Sequence, residues 1–291
     1  MRGKTLSWFL LILLSIIWGS SFILMKKGMM AFGSDEVAAL RIGIAFVFLS
    51  PLIIKHHKID FKKYLPGILL MGFFGNFFPA FLFTKAETEI SSSLAGMLNA
   101  LTPMFTIVVG VLWLKVKPTK IQGVGIISGL IAAILLLYFD GNNSQSKNAL
   151  FGLLVVGATL SYAISVNGIR YYLHDLNPVK ATVWAFTFTG PLSLIYLFTF
   201  TDFTIHVTEN TNAQSSLLYI GILAIIGTAL SVIAFNVLIR EAGAVFASTC
   251  TYLIPIVAII WGLVDYEAIH PVQVFAILVI ILSVYYINRS K

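Results

Sequence analysis

The sequence predicts an all-α membrane protein of ten transmembrane helices, built as two five-helix repeats inserted in opposite orientations. Three observations carry that expectation. Of 291 residues, 58% are hydrophobic and 11% charged, against about 25% charged in soluble domains. Ten apolar segments follow one another, most near the roughly 20 residues that cross about 30 Å of hydrocarbon. The sequence also echoes itself. Ser92, Gly96, Asn99, Pro103, Thr106 and Gly110 lie on one helical face, and 152 residues later Ala244, Ser248, Thr251, Pro255, Ala258 and Gly262 repeat the spacing. Stripes of small and polar residues face neighbouring helices or a wet cavity, not lipid.

Taken in order, the expected spans are 6–25, 37–54, 64–84, 91–114 and 121–139, then 149–170, 179–200, 216–238, 243–264 and 271–287. The opening Met-Arg-Gly-Lys and the apolar run behind it imitate a secretory signal, but the run is of spanning length and lacks an A-x-A-like site. It is expected to stay as the first helix. Residues 1–139 form the first expected unit, the polar stretch 140–148 a connector, and 149–291 the second unit. Five helices is an odd number, so the second copy enters the membrane from the opposite face, as in many secondary transporters.

The repeat extends beyond the two stripes. Residues 75–91 align with 227–243 at the same 152 offset, with Glu89 over Glu241. The first and sixth spans align at an offset of 144, placing Trp18 over Tyr162, Ser21 over Ser165 and Lys26 over Arg170. Basic residues set the orientation. Fourteen fall on the side of the two termini, four (Lys26, Lys27, Lys85, Lys147) on the other, and Arg41 lies within a span. The positive-inside rule then puts both termini in the cytoplasm of a protein of the inner or plasma membrane.

Trp18-Gly-Ser-Ser-Phe22, Leu40-Arg41, the run from Leu94 to Pro103 containing Ala95-Gly96-Met97-Leu98-Asn99, and Pro255 through Glu267 together resemble the EamA-type drug/metabolite transporter superfamily. The resemblance covers nearly the whole chain. It implies ten helices in an inverted repeat and the export of amino acids or other small metabolites. The family's glutamate about thirteen residues after the proline is matched by Glu267 in the second half. In the first half Val116 and Lys117 stand there.

The residues nominated for substrate binding are Trp18, Ser21, Asn76, Phe78, Asn99, Tyr162, Ser165, Asn236, Thr251 and Tyr252: amides and hydroxyls inside spans need partners, and aromatic faces can stack on a solute. Phe77 and Trp184 are further aromatic candidates, and Asn167 reads as a candidate for interhelical bonding. Pro103, Pro255, Gly96, Arg41 and Glu267 are nominated for structure and gating, with Arg41 poised either to meet a substrate carboxylate or to snorkel to the headgroups. Lys85, Glu87 and Glu89 read as a solvated cluster. No acidic residue falls well inside a span, so transport driven by the substrate's own gradient is expected.

Other classes lack their motifs. HExxH, GxSxG and P-loop patterns do not occur, which argues against an enzyme. One cysteine, Cys250, excludes an intrachain disulfide. His56 and His57 lack metal-site spacing, and no cofactor or metal is expected. The net charge of +7 is divided among short loops, so no nucleic acid is expected. Gly125 and Gly129 have the spacing of a helix-pairing motif, which a monomer or a homodimer satisfies equally. The function expected is a secondary transporter, exporter or exchanger, carrying small metabolites such as amino acids through a central cavity by alternating access. A channel or lipid-translocating protein is the alternative.

Overall fold

The computed structural model describes residues 2–115, 119–138, 145–243, 246–247 and 250–289, of which 2–4, 137, 145–149, 284 and 286–289 by backbone alone. Ala244 and Ser248 of the second stripe, Val116 and Lys117, and positions 139–144 lie outside the described residues.

Every regular element among the described residues is helical. In chain order they are α1 (Arg2–Gly28), α2 (Ser34–Leu49), α3 (Pro51–His56), α4 (Phe61–Leu69), α5 (Phe78–Ala86), α6 (Ser92–Leu98), α7 (Thr102–Leu114), α8 (Lys120–Tyr138), α9 (Gln145–Tyr172), α10 (Pro178–Phe200), α11 (Phe203–Glu209), α12 (Ala213–Ala224), α13 (Ser231–Ala242), α14 (Cys250–Val264) and α15 (Pro271–Arg289). A π-helical stretch, Leu70–Phe77, joins α4 to α5, and another, Ile225–Leu230, joins α12 to α13. A 3₁₀ turn, Asn99–Leu101, joins α6 to α7 just before Pro103. There the ring removes a backbone donor and the helix has room to tighten.

Among the described residues, six stretches are long and apolar enough to cross a membrane: Thr5–Gly28, Phe61–Ala86, Ser92–Leu114, Leu150–Tyr172, Pro178–Phe200 and Ala213–Ala242. Lys120–Leu136, Cys250–Val264 and Pro271–Ser283 are shorter apolar helices. The expected span 37–54 is divided between α2, which carries Asp35, Glu36 and Arg41, and the short α3 behind Pro51. The pattern is that of a multi-pass membrane protein. Local chemistry sets several ends: Ser91 Oγ caps α6 through Leu94 N at 3.2 Å, Asn177 caps α10 through Val179 N at 2.9 Å, and Gly243, at φ +84°, closes α13 in a conformation that glycine tolerates.

The most extensive packing joins α8 with α15, α2 with α10, α1 with α14, and α9 with both α5 and α7. In lipid the hydrophobic effect does not drive such contacts, so close approach must. Gly96 shows how: a Cβ added there would lie 2.3 Å from that of Ala258 and 3.2 Å from the Phe22 ring. Gly129 is filled likewise by Met104 of the same chain, 1.8 Å from its would-be Cβ.

Candidate functional site

The middle of the bundle holds a cavity of about 120 Å³, room for several waters or a small solute. Both π-helical stretches contribute to its wall, through Met71, Gly75 and Asn76 and through Gly227. An extra residue in a helical turn frees carbonyls and rotates the side chains that follow, and such turns gather at functional sites. Here the side chains take up those carbonyls: Asn76 Nδ2 donates to Met71 O at 2.9 Å and Thr228 Oγ1 to Leu223 O at 3.0 Å.

Trp18, Ser21, Asn76 and Asn99 line the cavity, as do Tyr162, Ser165, Asn236 and Thr251. Eight of the ten nominated binding residues thus converge. Trp18 Nε1 donates to Gly227 O at 3.1 Å, which fixes its ring against the wall. Arg41 joins them. Its side chain turns inward rather than to the headgroups: the residue is 9% exposed, Nε donates to Thr228 Oγ1 at 2.8 Å and Nη1 lies 3.7 Å from Met25 Sδ. Among the described residues no carboxylate makes an ion pair with it. Asn99 Oδ1 and Asn236 Oδ1 are buried acceptors without a hydrogen-bond partner.

The remaining nominees lie elsewhere. Phe78 is 41% exposed and packs on Phe73, Phe74 and Phe77. It lies two residues past Asn76, about 200° around a helix, and so points away. Tyr252 is half-buried against the apolar core. Phe77 packs at a tilt on Phe81, while Trp184 packs on Phe61 and donates to His56 O. Pro103 and Pro255 are buried but do not line the cavity, and Gly96 belongs to a helix seam. Asn167 is interhelical bonding: its amide reaches Thr106 O and Ala163 O.

One end of the bundle is closed by charge. Lys26 Nζ lies 2.7 Å from both Glu267 Oε1 and Asp265 Oδ2, and Lys27 Nζ lies 2.5 Å from Asp265 Oδ1. Glu267 also accepts from Ser92 N, Ser92 Oγ and Ser93 N at the start of α6, where exposed N–H groups favour an anion. Burial would raise the carboxyl of Glu267. The hydrogen bonds from Lys26, Ser93 and Ser92 outweigh it and hold Glu267 below the usual carboxylate range. Asp265 follows the same balance, with burial opposed by Lys26 and Lys27.

Sequence reasoning missed Glu87, which is not solvated. It follows α5 one turn after Phe83, a cavity-lining residue, is 8% exposed, and neither carboxyl oxygen has a hydrogen-bond partner. Burial pushes its carboxyl well above the ordinary range and Glu267 adds to the rise, while Arg41 and Lys26 oppose it. The expectation that Glu87 belongs to a solvated cluster is thereby corrected. Lys85 and Glu89 beside it are exposed, as expected.

The opposite end is looser. A second cavity of about 500 Å³ includes Arg170, His174 and Arg240, and shares Ile169 and Asn236 with the central one. By the two offsets, Lys26 corresponds here to Arg170 and Glu267 to Lys115, one residue before the Val116 and Lys117 reached by counting thirteen or fourteen from Pro103. Two cations cannot form the matching lock.

A bundle of apolar helices around a cavity with polar groups set into an apolar wall, ion-paired at one end, is the build of a polytopic membrane transporter. The chain belongs to the EamA-like transporter family, whose model matches residues 5–138 and again 150–289. An inner membrane transporter of Escherichia coli K12, YedA, described as uncharacterized, is 27% identical over 285 residues, covering 96% of this chain and 89% of its own. An S-adenosylmethionine/S-adenosylhomocysteine transporter of Chlamydia trachomatis is 26% identical, covering 92% and 85%. A probable terminal-alkyne amino-acid exporter of Streptantibioticus cattleyicolor is 21% identical, covering 90% and 86%. One crystal structure shares the fold with a TM-score of 0.66 at 14% identity, over 96% of this chain and 95% of that one.

Proposed function

We propose that this chain exports or exchanges small metabolites bearing an α-amino-acid group, by alternating access of one central cavity. The observation that carries the reading is the complementarity of three groups on that cavity. Among the described residues, Arg41 is a buried cation without a carboxylate partner, and Asn99 and Asn236, which line the same cavity, each hold a buried amide oxygen without a donor. A carboxylate satisfies the first and an ammonium the other two. Leaving such groups unmet in a dry site costs about 1–3 kcal/mol each, so a zwitterion gains on entering. Trp18 and Tyr162 add aromatic faces for what lies beyond the amino-acid group. The named substrates of the two relatives, an amino acid and S-adenosylmethionine, share that group.

The reading takes the chain as ten spans in an inverted repeat, units 1–139 and 149–291 around the connector 140–148, with both termini cytoplasmic. It is supported by the double family match and by packing that pairs α1 with α14 as α9 with α7, the pairs that exchanging the two halves would interconvert. The locked end then faces outward and the structure is inward-open. Purified protein in liposomes loaded with unlabelled L-amino acid should accumulate the radiolabelled form transiently against its gradient. A channel shows no such counterflow, and its absence across a panel of amino acids would refute the reading.

A further inference from the structure

We propose that Glu87 is a proton-binding site of the locked end: its carboxyl is neutral while the Lys26–Glu267 lock is closed, and opening the lock ionises it and releases the proton. The proposal rests on the alternating-access reading above.

The geometry leaves the carboxylate form unsupported. Glu87 is 92% buried by its 8% exposure, and neither oxygen meets a donor. The lysines nearby are occupied. Lys26 is held by Asp265 and Glu267, and Lys27 by Asp265. Arg41, facing Glu87 from α2, gives its Nε–H to Thr228. Among the described residues the remaining charge acting on it is Glu267, of its own sign. Tyr162, on α9, lies beside Arg41. On its own segment Lys85 and Glu89 point to solvent. An ionised carboxylate in that place would be a buried charge without hydrogen bonds, which proteins avoid by keeping the group protonated.

Glu87 also sits where a proton matters. Phe83, one turn earlier on the same helical face, lines the cavity, while Glu267 and Lys26 make up the lock. Parting the lock frees Lys26 and admits water, so the carboxyl ionises as the end opens. By linkage, acid then favours the closed state and alkali the open one, whatever the solute.

The test uses the full chain in liposomes, in a Cys250→Ser background. N,N′-Dicyclohexylcarbodiimide attacks protonated carboxyls in apolar surroundings, so mass spectrometry should find an adduct on Glu87, fading several-fold as pH rises, and little on Glu267. Val166→Cys lines the cavity, and its labelling by an impermeant thiol reagent from the locked end should rise several-fold with pH. Glu87→Gln should label weakly at every pH, and Glu87→Asp should restore the dependence. No Glu87 adduct at any pH, or an unchanged pH dependence in Glu87→Gln, overturns the proposal. If Val166→Cys is never reached from that end in any variant, the alternating-access reading falls and takes the proposal with it.

Discussion

Asn76 and Thr228, 152 residues apart, make the same hydrogen bond: each side chain donates to the carbonyl five residues earlier, Met71 and Leu223, themselves 152 apart. The walls around them match too. A Cβ added to Gly75 would meet Ser165 Oγ at 2.4 Å, and one added to Gly227 would meet Ser21 Oγ at 3.2 Å. The serines are the pair aligned at the 144 offset. Thr228 carries an additional duty, because it accepts from Arg41. Thr228→Val should therefore reduce amino-acid exchange about tenfold or more, the cost of an unmet buried donor, whereas Asn76→Ser, which keeps a donor, should reduce it less. Initial rates of exchange in liposomes decide the order.

Arg41→Lys keeps the positive charge but not the planar fork that holds a carboxylate by two hydrogen bonds. The expected result is a KM raised about tenfold, or more, for amino acids. Amines lacking the carboxylate should bind no worse than before. Equal losses for both would mean that Arg41 only braces the α2 and π-helical walls.

Most of the cavity's polar lining is legible because polar residues stand out in apolar spans and because two offsets lay one half of the sequence over the other. Trp18, Tyr162, Ser21 and Ser165 were found that way. The misses have separate causes. Phe78 lies two residues past Asn76, so the period that turns Asn76 inward turns Phe78 outward, and an aromatic residue in an apolar span carries no mark of the face it takes. Glu87 sits at the end of a hydropathic span, and whether an end is wet depends on which helices close over it. Arg41 near a helix end reads equally as snorkelling until Thr228, 187 residues away, is seen to hold it.

Gly96 tests the seam between α6 and α14. Gly96→Ala places a methyl where the Ala258 Cβ lies 2.3 Å away and should destabilise by about 1–3 kcal/mol, as overpacking does. Ala258→Gly in the same chain should recover most of the loss in melting temperature. A double variant as unstable as the sum of the singles would place the strain elsewhere.

His206 in α11 lies 2.9 Å from Glu36 Oε2, and that hydrogen bond raises its pKa from the ordinary value of 6.5. A raised folded-state pKa stabilises fully below the unfolded value, and the contribution is lost as pH rises through the folded one. The histidine is largely solvated, which holds the gain to about 1 kcal/mol or less. Melting temperatures of the wild type and His206→Gln should differ in mildly acidic buffer and converge in alkali. A constant gap at every pH would show that packing, not charge, is what the substitution removes.

The lock itself is tested at Glu267, whose two oxygens gather Lys26 and the N–H groups of Ser92 and Ser93. Glu267→Gln removes the charge but preserves the shape, so Lys26 retains Asp265 alone and the start of α6 loses its anion. Removing one partner of a half-buried, multiply bonded pair costs the closed state more than the open state, where water solvates each group. A loss of about 1.4 kcal/mol shifts the closed-to-open ratio tenfold. Labelling of Val166→Cys from the locked end should increase accordingly, and Lys26→Met should act in the same direction. The double variant should open little further than either single one, because each already breaks the same bond. Additive opening would mean that Lys26 and Glu267 act through different partners and that the end is held by packing of α1 on α14.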